Sequence, residues 1–188
     1  MFRPDFSKIL LAVLISLSSS ALLAQTYGVG KTLTNKEIEG WNIDVRPDGQ
    51  GLPKGSGSAV TGKPLYVQYC AACHGQNGEG KPSNQLVGGR GSLNTAKPIM
   101  TVGSYWPYAT IVFDYINRAM PFHAPQSLKP DEVYGITAYL LYLNQIIPEN
   151  EILDAKTLPK VVMPNRYGFI SDPRPDLHNN PCRDSCKP

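Results

Sequence analysis

Cysteine is scarce in this 188-residue chain: it has four, with three histidines and four methionines. A zinc site wants more Cys or His at ligand spacing than Cys70 and Cys73 have around them. No βαβ pattern surrounds that pair either, which excludes a thioredoxin-like reading. Runs of lysine or arginine are missing, and a formal net charge of +3 is too mild to point to nucleic acid. The apolar stretch Ile9 to Leu17 is too short to cross a bilayer. Gly28-Val29-Gly30-Lys31-Thr32 looks like the end of a phosphate-binding loop, but Gln25 stands where its first glycine belongs and no strand pattern precedes it. Internal repeats are absent.

What is present is Cys70-Ala71-Ala72-Cys73-His74, and C-x-x-C-H is the attachment signal of a c-type haem. Two thiols one helical turn apart can add to the two vinyl groups as thioethers. The adjacent histidine then lies under the macrocycle, where its imidazole can ligate iron. There is no second C-x-x-C-H, so a single covalent haem is expected. Residues 1–24 read as an export signal: Arg3 and Lys8 precede the Ile9–Leu17 apolar core, and small residues follow. Cleavage can fall after Ala21 or after Ala24. The expected location is a bacterial periplasm, with no membrane span once the signal is removed. The signal carries Arg3, Lys8 and Asp5, a net of +1, so +3 leaves a mature chain near +2. With Cys70 and Cys73 committed to haem, Cys182 and Cys186 are expected to close a small disulfide loop, free thiols being the alternative. Such a loop contributes only about 2 kcal/mol in the chain-entropy model, enough to pin a tail.

Glycine and proline number 17 each, which predicts long loops and extended arms around a compact helical centre. Thr34 and Glu37 have capping-box spacing and predict a short helix. Trp41 to Gly57 reads as an extended arm with a tight turn at Asp48-Gly49. A first central helix is expected from near Gly62, with Leu65, Tyr66 and Tyr69 on one face leading into Cys70. A second is expected to open at Tyr105-Trp106-Pro107, with Pro107 in its first turn, and to end at Met120 because Pro121 follows. Its row Ile111, Tyr115, Ala119 suits burial against a haem edge or any other core. A third runs from about Pro130 to Asn144, its dipole complemented by Asp131 and Glu132. The fold class is therefore all-α. The partition expected is an arm over 25–61, a haem domain over 62–147 and a tail over 148–188.

A haem with one histidine ligand needs a second axial group or keeps an open face. Met120 is the first candidate, at a helix end some forty-five residues beyond His74, with His123 as runner-up. Met100 and Met163 are expected to pack, and His178 lies in the tail. A methionine ligand raises the reduction potential, and two strong ligands leave no site for oxygen. That points to electron transfer rather than to an open-iron enzyme or sensor. Tyr105, Trp106 and Arg90 are candidate donors to the haem propionates, surface roles being the alternative.

Over about Gly62 to Asn144 the chain resembles class I cytochromes c. A narrower likeness rests on Trp41 to Gly57 (WNIDVRPDGQGLPKGSG), Gly103 to Pro121 (GSYWPYATIVFDYINRAMP) and the Pro181-Cys182 to Cys186 tail. These blocks resemble SoxD, the cytochrome subunit of bacterial sulfane dehydrogenase. The resemblance implies a class I cytochrome c fold wrapping one haem, with thioethers to Cys70 and Cys73 and axial His74 and Met120. It implies a molybdenum-cofactor partner of the SoxC type that oxidises protein-bound sulfane sulfur, and a small cytochrome c as downstream acceptor. Some members carry two haems; one attachment site stands here. Lys129 occupies a position where similar cytochromes often place a Ser or Thr helix cap. An independent diffusible carrier is the competing function.

Overall fold

The computed structural model describes residues 29–171. The chain divides into two compact units, the first ending at Asn42 and the second beginning at Ile43. In the first, α1 (Asn35–Glu39) forms as its sequence directs. Thr34 accepts from the Glu37 amide, Glu37 accepts from the Thr34 amide at 2.9 Å, and Lys31 pairs with Glu37 at 2.6 Å.

The second unit is helical. It contains α2 (Ala59–Tyr69), α3 (Ala71–His74), α4 (Ala109–Ala119) and α5 (Pro130–Leu143). A two-residue strand pair joins β1 (Ser56–Gly57) to β2 (Leu153–Asp154), and a 3₁₀ turn covers Leu158–Lys160. Helix α5 is the centre. It is buried on nearly every side from Val133 to Leu141, which explains its near-continuous apolar sequence. Helix α2 crosses it backbone to backbone, because Gly62 and Gly135 meet at the crossing: a Cβ on Gly62 would stand 1.8 Å from the Gly135 carbonyl oxygen. One turn further, Tyr66 and Tyr139 close the same interface with ring centroids 5.3 Å apart. On its other flank α5 meets α4, where Phe113 and Tyr134 pack at 4.5 Å. Full burial of side chains such as Phe113, Ile136 and Leu141 stabilises by about 1.5–3 kcal/mol each.

Two helix starts differ from their sequence-based expectation. Helix α2 begins three residues before Gly62, because Ser58 and Thr61 form a reciprocal cap. Helix α4 begins at Ala109 rather than at Pro107, with Tyr108 extended before it and bridged to Val162. Lys129 offers no side-chain cap to α5, yet its amide donates to Glu132 at 2.7 Å, so half of the box survives. Of the row Ile111, Tyr115, Ala119, Tyr115 is 48% exposed, while Val112, Phe113 and Ile116 supply the core.

The segments flanking the helices fold onto them. From Val45 to Ser56 the arm is strapped down by four bonds. Asp114 accepts from the Val45 amide at 2.8 Å, and Thr110 donates to the Pro47 carbonyl at 3.2 Å. Tyr134 donates to the Pro53 carbonyl at 3.0 Å, and the Ser56 amide donates to Asp131 at 2.7 Å. The Asp48-Gly49 turn forms as expected, with Gly49 at φ +92°. After α5, the tail buries Leu153, Leu158, Val161 and Met163 against the same core. It is held further by Asn165, which donates to the Tyr105 carbonyl at 2.7 Å, by Arg166 stacked 4.0 Å over the Tyr108 ring, and by Tyr105 against Phe169.

Candidate functional site

Helix α2 delivers the chain to Cys70, where the axis breaks and the single turn of α3 begins. The Cys73 and His74 amides both donate to the Cys70 carbonyl, at 3.1 and 2.9 Å, so the two thiols and the imidazole share one turn. Burial, reinforced by nearby Cys73, pushes the Cys70 thiol up to about 12. With nothing bound to it, Cys70 is therefore a thiol at neutral pH. Cys73 is exposed.

The loop that follows folds back onto this turn. Gly75 ends it at φ +83°, where a Cβ would strike the Glu79 carboxyl. The Gly80 amide donates to the His74 carbonyl at 2.8 Å and the Ser83 amide to the Cys73 carbonyl at 2.9 Å. Glu79 accepts from the Asn77 amide at 2.7 Å, and backbone N–H groups hold its carboxyl below the usual range. His74 Nδ1 lies 2.8 Å from the Asn84 carbonyl. A carbonyl only accepts, so Nδ1 carries the proton and the Nε2 lone pair is left for a metal. Tyr66 donates to the Gly75 carbonyl at 2.9 Å, tying α2 to the end of the site turn; burial raises its pKa, so it remains a donor.

Met120 stands at the end of α4, half-buried against the core, with Pro121 ending the helix behind it. Its thioether belongs to a different element from the Cys70–His74 turn. His123 is exposed on the turn after Pro121, and Met163 is core. Met100 does not pack as expected; it is 62% exposed on the long loop before α4. Arg90 donates to the Asn144 carbonyl at 2.9 Å, and Trp106 stands edge-on to Tyr115. His178, Cys182, Cys186 and the signal segment lie outside the described residues.

Residues 57–140 match the family described as cytochrome c oxidase, cbb3-type, subunit III. The second likeness reaches further. A chain in the crystal structure of the sulfane dehydrogenase SoxCD from Paracoccus pantotrophus is 42% identical, with a TM-score of 0.74. The match covers 85% of this chain and 82% of that one. This chain belongs to the SoxD family of cytochromes c. A SoxD-like cytochrome has the class I fold and carries covalent haem c, and its donor chemistry here fits that group. Two cysteines sit on one turn beside a histidine with a fixed tautomer, and a neutral thioether ends another helix.

Sequence reading missed three contributors to this SoxD-like site. In the sequence Tyr66 shows only as part of an apolar face, and its place four residues before Cys70 is the available signal. Asn84 acts through its main chain, which leaves no mark on residue type. Glu79 sits in Gly78-Glu79-Gly80, a pattern that signals a turn but not a carboxylate gathering amides.

Proposed function

We propose that this chain is the electron-accepting cytochrome subunit of a periplasmic, molybdenum-containing sulfane dehydrogenase. One haem is tethered by Cys70 and Cys73 and ligated by His74 and Met120. The observation that carries the reading is the 42% identity, over most of both chains, to a chain of the SoxCD structure. The haem supplies one-electron chemistry, and the chain's own residues set its conditions. The Asn84 carbonyl fixes the His74 ring and raises its basicity. The Met120 thioether favours the reduced state. No residue of this chain is assigned to the sulfur substrate, whose oxidation belongs to the partner. A small cytochrome c is the acceptor proposed downstream. Residues 1–24 are the export signal, and Cys182 with Cys186 form the tail disulfide.

The tail supports a subunit role. It buries Leu153 and Val161 internally but leaves Val162 68% and Ile170 87% exposed, surface that a larger partner can cover. Affinity isolation from native periplasm tests the reading: a molybdenum-containing protein should co-purify in fixed proportion. Recovery as a lone monomer, with the haem reduced by no sulfur-oxidising fraction, contradicts it. Ligation is tested separately. The oxidised protein should show the weak far-red sulfur-to-iron band, and Met120→Ala should abolish it while Met100→Ala leaves it.

A further inference from the structure

Asn144 ends α5 and is buried, 7% exposed, far in sequence from the haem motif. Its side-chain amide makes three bonds that the expected site does not explain. Oδ1 accepts from the Gly88 amide at 3.0 Å. Nδ2 donates to the Leu86 carbonyl at 3.2 Å and to the Leu140 carbonyl at 2.9 Å. One N–H and two carbonyls surround the group, so only an amide in this orientation satisfies all three. Leu86 and Gly88 lie two and four residues beyond Asn84, on the loop whose carbonyl meets His74 Nδ1. The amide in turn leaves no room for a side chain at Gly103, where a Cβ would stand 2.1 Å from Asn144 Oδ1.

We infer that Asn144 is a positioning residue for the axial histidine: its buried amide fixes the 84–88 loop, and through it the carbonyl that orients the His74 ring. The inference rests on His74 being the iron ligand. A loosened loop lengthens the bond from Nδ1 to Asn84, lowers ring basicity and favours the reduced iron.

Two variants of the full-length, haem-loaded protein approach the amide from different sides. Asn144→Asp keeps the acceptor but removes both donations. Gly103→Ala leaves Asn144 in place and presses on it. The readouts are solvent exchange of the His74 ring Nδ1–H by NMR in the reduced protein, and potentiometric titration. Both variants should exchange that proton roughly tenfold faster. At a fixed applied potential the reduced-to-oxidised ratio should rise about threefold, which is about 28 mV at 59 mV per decade for one electron. Lower thermal stability with wild-type exchange and potential would overturn the assignment. If Asn144→Asp does not accumulate, Gly103→Ala decides alone by the same readouts. A wild-type protein with no iron-bound His74 signal would instead sink the ligand assignment beneath it.

Discussion

Gly62→Ala puts a methyl group where two helix backbones touch. The added carbon would stand 1.8 Å from the Gly135 carbonyl oxygen and 2.2 Å from its carbon, and backbone cannot rotate aside as a side chain can. Restoring ordinary contact near 3.4 Å requires the helices to part locally by about 1.5 Å, loosening the Tyr66–Tyr139 pair one turn away. Alanine returns about 1 kcal/mol of helix propensity. Overpacking costs about 1–3 kcal/mol, more where nothing can yield, so a net loss of about 2 kcal/mol is expected. For a domain of this size that lowers Tm by about 4–8 °C. Guanidinium unfolding of the haem-loaded protein, followed by far-ultraviolet circular dichroism, measures the free-energy loss, and a thermal melt measures the Tm shift. Gly135→Ala is the internal control, because its Cβ would come no closer than 3.2 Å to Gly62 and should cost much less. Equal stability of Gly62→Ala and wild type, or a reversed order of the two variants, would refute the crossing as the fold's tightest constraint.

Asp114 is buried, pairs with Arg118 and accepts from the Val45 amide, so Asp114→Ala should cost about 2–3 kcal/mol and speed hydrogen exchange at Val45. Unchanged Val45 exchange would deny it the strapping role. Tyr66→Phe keeps the ring but loses the bond to Gly75; a loss of about 1 kcal/mol is expected in the same unfolding assay, and no loss would contradict it. Glu79 and Asp154 both have carboxyls lowered by backbone N–H groups. Depressed native values mean stability that is full above the ordinary carboxylate range and drains as pH falls through the native values. Thermal melts should therefore weaken below about pH 4.5, and Glu79→Gln should flatten part of that slope. A profile identical to wild type would exclude Glu79 as a contributor.

The helical centre was legible because its signals are local. Val133, Ile136, Leu140 and Leu143 repeat at helical spacing, Thr34 and Glu37 spell a cap, and the Cys70–His74 motif names its own chemistry. Helix starts were misplaced where tertiary contacts compete with local preference. Pro107 would suit a first turn, but Tyr108 is held extended against Val162, fifty-four residues later. The packing of arm and tail was illegible for the same reason. Leu153 pairs across to Gly57, and Asp114 reaches Val45, through separations no window spans. Around the site, the Cys70–His74 motif carries its expected chemistry in its residue types. Residues that work through a main-chain carbonyl, as Asn84 does, or through a buried amide, as Asn144 does, carry no such mark.

The account stands on one haem bound through one turn of helix. Intact mass spectrometry of the protein recovered from periplasm tests that most directly. It should show the processed chain carrying a single haem, and a variant with Cys70→Ala and Cys73→Ala should lack it. A chain bearing no haem, or a haem retained without those two cysteines, would contradict the account at its base.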